Sequence, residues 1–212
     1  AVAGPGPERL KKMLTLTRRE GESIAIGDDI QVTIVDLGRG KVRIGIVAPR
    51  HMAILRSEVL SRIVEENQRA ASALSPQPNE GARAGQIVFK NGLPGLRDHR
   101  SFTLLEVPGF SSLRELMSDS NPLVRLLICE AALVMPDYPL ELARQRAALG
   151  EDEVAVTVVL TLPTDGRPPT VNLLAPIVIG LASQHGEQVI LDGTGLPSRQ
   201  ELAQGVEAFA SP

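Results

Sequence analysis

The chain has 212 residues, of which 43% are apolar and only 2% aromatic, and its net charge is −3 at neutral pH. This length allows one or two domains with aliphatic cores. The single cysteine, Cys129, excludes an internal disulfide, and no apolar run reaches the length that a membrane-spanning helix needs. These features favour a cytoplasmic protein without a membrane partner.

Charge is distributed unevenly along the chain. Residues 13–72 carry 9 basic and 8 acidic side chains, whereas residues 73–212 carry 10 basic and 16 acidic ones. A nearly neutral first half excludes nucleic-acid binding through bulk charge alone. Any nucleic-acid recognition there has to rely on individually placed arginines.

Residues 1–12 contain Gly4-Pro5-Gly6-Pro7 and lack the apolar core of a signal peptide, and a natural start stands at Met13. We expect these residues to be an extension outside the fold. From Met13 the pattern alternates short β-type runs with turn signals, including a tight hairpin at Gly38-Arg39-Gly40. It predicts five strands, at Met13–Arg19, Glu22–Ile26, Ile30–Val35, Lys41–Val47 and Met52–Leu55.

Five short strands make a small core with open edges, which a second copy of the chain usually completes. We therefore expect a homodimer. After the strands, Ser57–Arg69 predicts a helix with Ser57 as its N-cap. Its apolar residues are expected in the core, and residues 65–69 form a polar surface that is available to a partner. The apolar stripe consists of Val59, Leu60, Ile63 and Val64.

Residues 13–71 resemble the carbon storage regulator family, CsrA. The features that carry the resemblance are Met-Leu-x-Leu-Thr-Arg-Arg at 13–19, Gly21-Glu22, Ile26-Gly27-Asp28-Asp29-Ile30, Val42-Arg43-Ile44-Gly45-Ile46 before Ala48-Pro49, and Ile54-Leu55-Arg56. The resemblance implies a five-stranded sheet with a C-terminal helix. It also implies an intertwined homodimer, in which the first strand of one protomer lies beside the fifth strand of the other.

The family binds GGA-containing single-stranded loops, commonly over ribosome-binding sites, so the resemblance implies an mRNA leader as partner. Carried over by position, the RNA-binding residues are Leu16, Thr17, Arg18 and Arg19 of one protomer and Met52, Ala53, Ile54 and Arg56 of the other. Leu55 is a departure, since the family often has histidine there. We expect it to reduce affinity or packing rather than abolish binding.

Arginine suits such a site because its planar fork pairs with guanine O6 and N7 or with phosphate oxygens. Specific RNA recognition usually targets unpaired loop bases. The alternative interpretation of Arg18, Arg19 and Arg56 is that they are solvated charges that discourage sheet aggregation.

Residues 71–85 are rich in Ala, Ser, Pro and Gly and predict a flexible linker with a span of roughly 20 Å. A second β-rich domain follows over residues 86–192, and residues 193–212 form a tail. The pattern of the second domain predicts an antiparallel barrel with short helices at Ser111–Met117 and Leu140–Leu149. The chain as a whole is therefore expected to be all-β with minor α.

The second domain resembles the flagellar assembly factor family, FliW. The residues concerned are Ile87-x-Phe89-x-x-Gly92-Leu93-Pro94-Gly95, Phe102–Glu106, Pro136-Asp137-Tyr138, the run Thr170–Ile179 and Gly186-x-Gln188-Val189-Ile190-Leu191. Gly180 departs from the Asn that the family often has, and the tail from residue 193 has no recognisable counterpart.

FliW proteins antagonise CsrA and bind flagellin, so the resemblance implies a regulator fused to its antagonist. The implied CsrA–FliW interface includes Glu58, Glu65 and Asn67 of the helix and Asn172 of the second domain. Inhibition can be direct, through cover of Arg56, or indirect, through the helix around Asn67. An alternative function is a flagellin-binding assembly factor whose CsrA-like part is mainly a dimerisation platform.

Enzymatic and cofactor chemistry is not indicated by the sequence. The three histidines have no Cys or carboxylate partners at metal-ligand spacing. Asp28-Asp29 is better explained by a hairpin turn than by a metal site. Cys129 ends an apolar run and is expected to be a buried core thiol. The sequence thus predicts no catalytic residues, no metal and no cofactor.

Overall fold

A computed structural model of the protein describes residues 13–49, 52, 54–74, 81–162, 166–202 and 209. The predicted extension over residues 1–12 lies outside the described residues, as does Ala53. The described chain is mostly β-structure with few helices, as predicted. Packing divides the chain into two units, Ala1–Ile54 and Leu55–Pro212. No helix among the described residues is both long and apolar enough to cross a membrane.

The first unit is a three-stranded antiparallel sheet in the order β1-β2-β3. Its strands are β1 (Ser23–Ile26), β2 (Ile30–Gly38) and β3 (Lys41–Val47). Arg39 and Gly40 connect β2 to β3 with φ angles of 48° and 74°. Two successive positive φ angles are typical of the tight turns that suit twisted hairpins, so the predicted hairpin is confirmed.

The predicted first and fifth strands are not strands in the single chain. Residues 13–19 have no ladder partner in the described part of the chain, and residues 52, 54 and 55 form no β-structure. A segment becomes a strand only when a neighbour takes up its backbone hydrogen bonds. The resemblance assigns these two segments to each other across a dimer, and one protomer by itself cannot supply that pairing.

The second unit begins with helix α1 (Ser57–Ala73). The N-cap residue is Arg56 without a side-chain capping bond, so the prediction of Ser57 as N-cap is wrong by one residue. The helix is also longer than predicted and extends through the first residues of the predicted linker. Val59 and Ile63 are 1% and 0% exposed, which confirms that the apolar stripe lies in a core.

The remainder of the second unit is an antiparallel sheet in the order β10-β9-β8-β7-β6-β5-β4, with β11 paired to β9. Two short helices, α2 (Ala131–Val134) and α3 (Leu140–Arg146), follow β7. The strands are β4 (Arg83–Val88), β5 (Ser101–Val107), β6 (Phe110–Ser118), β7 (Arg125–Glu130), β8 (Val154–Thr161), β9 (Thr170–Gly180), β10 (Gly186–Gln188) and β11 (Gln200–Glu201).

The sheet is open, so the predicted barrel is wrong. An isolated bridge joins Val88 to His185, and the Val88 N–H donates to the Gln184 carbonyl at 2.9 Å. This bridge brings the ends of β4 and β10 together without a continuous ladder between them. A closed barrel requires continuous pairing around the sheet, which these two edge strands do not provide.

The predicted helix at Ser111–Met117 is also wrong, because these residues belong to β6. Leu113 and Leu116 are three residues apart, a spacing that one face of a helix also shows. In the strand they point to opposite sides and pack into two different core clusters. A sheet that is covered on both faces does not show the simple polar–apolar alternation of a half-exposed strand.

Candidate functional site

Helix α1 packs against the rest of the second unit through a shared apolar cluster. Val59 and Ile63 of the helix lie in this cluster with Leu174, Ala175 and Ile190. Burial of side chains of this size contributes about 1.5–3 kcal/mol each. The apolar stripe of α1 is therefore part of the core of the second unit.

Asn67 lies at the centre of this contact and is 0% exposed. Its Nδ2 donates to the Pro94 carbonyl at 2.8 Å and to Gln188 Oε1 at 2.6 Å, while its Oδ1 accepts from Gln188 Nε2 at 3.2 Å. Gln188 Nε2 also donates to the Ala175 carbonyl at 3.0 Å. Every polar side-chain atom of Asn67 is thus paired, as a buried amide requires.

The loop around Pro94 and Gly95 approaches the helix more closely than a side chain would permit. Gly95 has a φ of +80°, and a Cβ at this position would lie 2.9 Å from the Val64 carbonyl oxygen. Gln68 Nε2 donates to the Gly95 carbonyl at 3.4 Å. A glycine is required here both for its backbone conformation and for the close contact. We call Pro94, Gly95, Leu174, Ala175, Gln188 and Ile190 the helix-binding surface.

Glu66 is only 7% exposed and lies between two guanidinium groups. Arg199 Nε donates to Glu66 Oε1 at 3.0 Å, and Arg69 Nη2 donates to Glu66 Oε2 at 2.5 Å. Glu66 and Asn67 of the predicted polar surface thus pack against the rest of the second unit, whereas Glu65 and Gln68 are exposed. The segment after β10 supplies the arginine that covers this end of the helix.

Arg56, at the start of α1, is bound by a carboxylate 136 residues away. Its Nε donates to Asp192 Oδ2 at 2.8 Å, and its Nη2 forms a second bond to Asp192 Oδ1. These two bonds lower the pKa of the Asp192 carboxyl and raise that of Arg56. Such fork-to-carboxylate pairing occupies the same N–H groups that an arginine offers to guanine or phosphate.

The remaining predicted interface residues differ in burial. Glu58 and Glu65 are exposed on α1. Asn172 is 3% exposed within β9, and its Oδ1 accepts from the Ala175 N–H at 3.1 Å. Its Nδ2 has no hydrogen-bond partner among the described residues. Asn172 therefore supports the helix-binding surface through Ala175.

The predicted RNA-binding residues of the first unit are exposed. Arg18 donates from Nη1 to the Thr17 carbonyl at 3.0 Å and from Nε to the Ser23 carbonyl at 3.3 Å. The Arg19 backbone N–H donates to Glu22 Oε2 at 2.7 Å. Leu16 is also exposed. Of the other predicted residues, Met52 and Ile54 are exposed and Ala53 is outside the described residues.

The first unit leaves its apolar side chains largely uncovered. None of the described residues 13–49 is buried, and Ile44 and Val47 are 55% and 66% exposed. Soluble proteins rarely expose contiguous apolar surface unless another surface covers it. The described residues of the first unit therefore present an apolar surface that they do not cover themselves.

Metal and nucleophile chemistry finds no support in the described part of the chain. No group of three or more His, Cys, Asp or Glu side chains there could hold a metal ion. Cys129 is 2% exposed, and burial raises its pKa to about 12. The thiol therefore stays protonated, which confirms its assignment as a core residue.

Sequence patterns predict few of the residues that contact α1. Pro94, Gly95 and Gln188 were noted only as parts of the FliW resemblance, and Asp192 and Arg199 were not singled out at all. The pairing of Asp192 with Arg56 has no local sequence signal. Asp192 reaches Arg56 because residues 189–191 run beside β9, where the Leu191 N–H donates to the Leu174 carbonyl at 2.8 Å.

Comparison with protein families gives two matches within the chain. The model of the CsrA global regulator protein family matches residues 13–65, and that of the FliW protein family matches residues 76–202. The FliW match extends past residue 192, so the first part of the predicted tail does have a counterpart in that family.

The first segment is similar to proteins described as translational regulator CsrA. The protein from Syntrophomonas wolfei is 56% identical over 59 residues, which are 28% of this chain and 78% of that protein. The protein from Clostridium botulinum strain ATCC 19397 is 47% identical over 60 residues, 28% of this chain and 83% of that protein. The protein from Leptospira biflexa is 41% identical over 78 residues, 37% of this chain and 98% of that protein.

Among solved structures, the crystal structure of the flagellar assembly factor FliW is 29% identical with a TM-score of 0.46. The alignment covers 55% of this chain and 84% of that one. On the two family models and the CsrA relatives, the chain belongs to the CsrA family of global regulators through its residues 13–65 and to the FliW family through its residues 76–202.

Proposed function

We propose that this protein is a translational regulator that binds GGA-containing loops in mRNA leaders and is restrained by its own FliW domain. The observation that carries the proposal is the pairing of Arg56 with Asp192. Arg56 is one of the residues that the CsrA resemblance assigns to RNA. Its guanidinium is bound by a carboxylate of the FliW domain. The same guanidinium therefore binds RNA in the active protein and Asp192 in the restrained protein.

On the RNA-binding side, the proposed site combines Leu16, Thr17, Arg18 and Arg19 of one protomer with Met52, Ala53, Ile54 and Arg56 of the other. The exposed apolar residues of the first unit support a homodimer as the working form. Arginine can pair with guanine through its planar fork, whereas lysine supplies charge without that fork. Binding near a ribosome-binding site in the cytoplasm represses translation by occupying the message, with flagellin and motility genes as the proposed targets.

The restraint rests on the way that the FliW domain holds α1. The helix is buried through Val59 and Ile63, and Asn67 is hydrogen-bonded to Pro94 and Gln188. Because the helix is covalently joined to this domain, its effective concentration is about millimolar. A micromolar intrinsic affinity then keeps the helix bound about 99.9% of the time.

The Arg56–Asp192 contact favours direct inhibition over a purely indirect effect through Asn67. RNA must displace a bidentate carboxylate before it can use Arg56. Flagellin, the partner that the FliW resemblance implies, is the proposed competitor that releases α1. The protein acts by binding, without a catalytic step or a cofactor.

The test is a titration of a labelled GGA hairpin against the full-length protein, its Arg56→Ala variant and Asn67→Ala, which we call the released variant because it raises the free fraction of α1. A hairpin with GGA changed to CCA is the matched RNA control. We expect weak GGA-dependent binding by the full chain, stronger binding by Asn67→Ala, and loss of severalfold or more in affinity when Arg56→Ala is added. Sizing of each variant checks that the dimer is intact.

Absence of GGA-dependent binding in the released variant would refute the RNA proposal. Equal affinities of the full chain and the released variant would refute the restraint. Adding flagellin to the full chain should raise RNA affinity. If flagellin binds but RNA binding is never detected, the alternative function holds, namely a flagellin-binding assembly factor with a CsrA-like dimerisation platform.

A further inference from the structure

A small groove beside the C-terminal half of α1 is lined mainly by arginine and threonine side chains. Its volume is about 140 Å³. Three guanidinium groups meet there from α1, from the loop before β9 and from the segment before β11. The groove, which we call the arginine pocket, is lined by Arg69, Arg167, Arg199, Thr161, Thr170 and Glu201.

Arg69 retains hydrogen-bonding capacity at this pocket. Its Nη2 donates to Glu66 and, at 3.1 Å, to Thr170 Oγ1. Its Nε is buried and has no hydrogen-bond partner among the described residues. A buried N–H without an acceptor is unfavourable, so the described residues do not use the full hydrogen-bonding capacity of Arg69.

The two threonines add donors to the same groove. Thr161 and Thr170 are 5% and 8% exposed. Thr170 Oγ1 accepts from Arg69, and a hydroxyl that accepts one bond still has a proton to donate. The pocket thus combines buried hydroxyl groups with guanidinium groups, which together suit an acceptor-rich ligand.

Charge at the pocket also favours an anion. Among the described residues at the pocket, Arg69, Arg167 and Arg199 bring three positive charges, whereas Glu66 and Glu201 bring two negative ones. Glu66 occupies Nε and Nη2 of Arg199. An arginine has five N–H donors, so Arg199 has further donors for a second acceptor.

We propose that the arginine pocket binds a small tetrahedral oxyanion of the phosphate or sulfate class. Planar guanidinium groups pair well with such oxygens. Pockets for nucleotide-sized or drug-sized ligands measure about 300–1,000 Å³, so this groove fits a single inorganic anion better than a nucleotide.

The arginine pocket lies between α1 and the sheet, so a bound anion contacts both. Arg69 belongs to α1, Thr161 and Thr170 belong to β8 and β9, and Arg199 precedes β11. An anion held by all three parts ties the helix to the sheet. If the proposed restraint on RNA binding is correct, which this consequence requires, the anion strengthens that restraint through linkage.

The experiment measures phosphate binding to the full-length protein without RNA. Inorganic phosphate is titrated at constant ionic strength, with chloride as the replaced anion, and binding is followed by calorimetry and by ³¹P line broadening. We expect one saturable site per chain and faster exchange of α1 amides when phosphate is removed. A 5′-phosphorylated dinucleotide, run as a second arm, should bind more weakly because it exceeds the volume of the groove.

Two substitutions test the location. Arg167→Gln should weaken phosphate binding about tenfold or more, the usual effect of losing a charged hydrogen bond. Thr161→Val, nearly isosteric, should weaken it to a smaller extent. The matched control is Arg144→Gln, which removes an exposed arginine of α3 that does not line this pocket. Circular dichroism checks that each variant is folded.

Absence of saturable phosphate binding up to tens of millimolar would overturn the proposal. So would a site whose affinity is unchanged in both Arg167→Gln and Thr161→Val. Tighter binding of the dinucleotide than of phosphate would contradict the inorganic anion as ligand. Because no RNA is present, failure of the RNA-binding proposal would leave these measurements unaffected.

Discussion

Asn67 of α1 and Gln188 of β10 exchange two hydrogen bonds, one in each direction between their side-chain amides. Asn67 Nδ2 lies 2.6 Å from Gln188 Oε1, and Gln188 Nε2 lies 3.2 Å from Asn67 Oδ1. Gln188 is further anchored to the Ala175 carbonyl. The pair joins a helix from the CsrA segment to a strand of the FliW domain through a contact that only complementary amides can make.

Replacing Asn67 with Ala should loosen α1. The change removes the Asn67 partner of the half-buried Pro94 carbonyl and Gln188 amide, at a cost of about 1–3 kcal/mol. Hydrogen–deuterium exchange of the full-length protein should show faster exchange across α1. Arg62→Ala, an exposed site on the same helix, is the control and should have little effect. Unchanged protection in the Asn67 variant would mean that the amide pair does not hold the helix.

Replacing Asp192 with Asn should free Arg56. The change keeps the size of the side chain but removes the charge that pairs with the guanidinium. Affinity of the full chain for a GGA hairpin should rise severalfold. The same substitution in an Arg56→Ala background should have no effect, because the group that Asp192 covers is gone. Asp137→Asn controls for the loss of one exposed negative charge, and a similar gain there would point to bulk charge.

The Arg56–Asp192 contact should be insensitive to pH in the physiological range. Arg56 lowers the pKa of Asp192, and a carboxyl with a lowered pKa contributes stability that is present above its ordinary pKa of about 3.9. That contribution is lost only as the pH falls through the lowered value. The ratio of RNA affinities of the Asp192→Asn variant and the wild type should therefore stay constant between about pH 5.5 and 8. A ratio that collapses near pH 6.5 would implicate histidine instead.

Substituting Gly95 with Ala should disturb the helix-binding surface more than the backbone strain alone explains. Gly95 and Gly109 have φ angles of +80° and +82°, so Ala is strained at both, by about 1–2 kcal/mol. A Cβ at Gly95 meets the Val64 carbonyl at 2.9 Å, whereas nothing lies within 4 Å at Gly109. Gly95→Ala should lower the unfolding midpoint further than Gly109→Ala and expose α1 to exchange. Equal effects would show that the loop tolerates the extra carbon.

Local patterns predicted much of the secondary structure. The hairpin at Gly38-Arg39-Gly40 is correct because its turn requires residues that accept positive φ, and the apolar stripe of α1 is correct because its spacing is helical. The same reasoning failed at Leu113 and Leu116, because a strand buried on both faces can place leucines at helical spacing. It also missed that the ends of β4 and β10 meet at one bridge without closing a barrel.

By itself, the sequence determined the two family segments, the β-rich character of the chain and the presence of α1, because these depend on local residue patterns. Only the tertiary structure decided that Glu66 and Asn67 are buried and that Arg56 is paired with Asp192. A polar helix end has the same sequence pattern whether it faces water or a complementary protein surface. Which of the two it meets depends on how distant segments pack, and here residues 188–199 supply the amide, the carboxylate and the arginine that complete the contact.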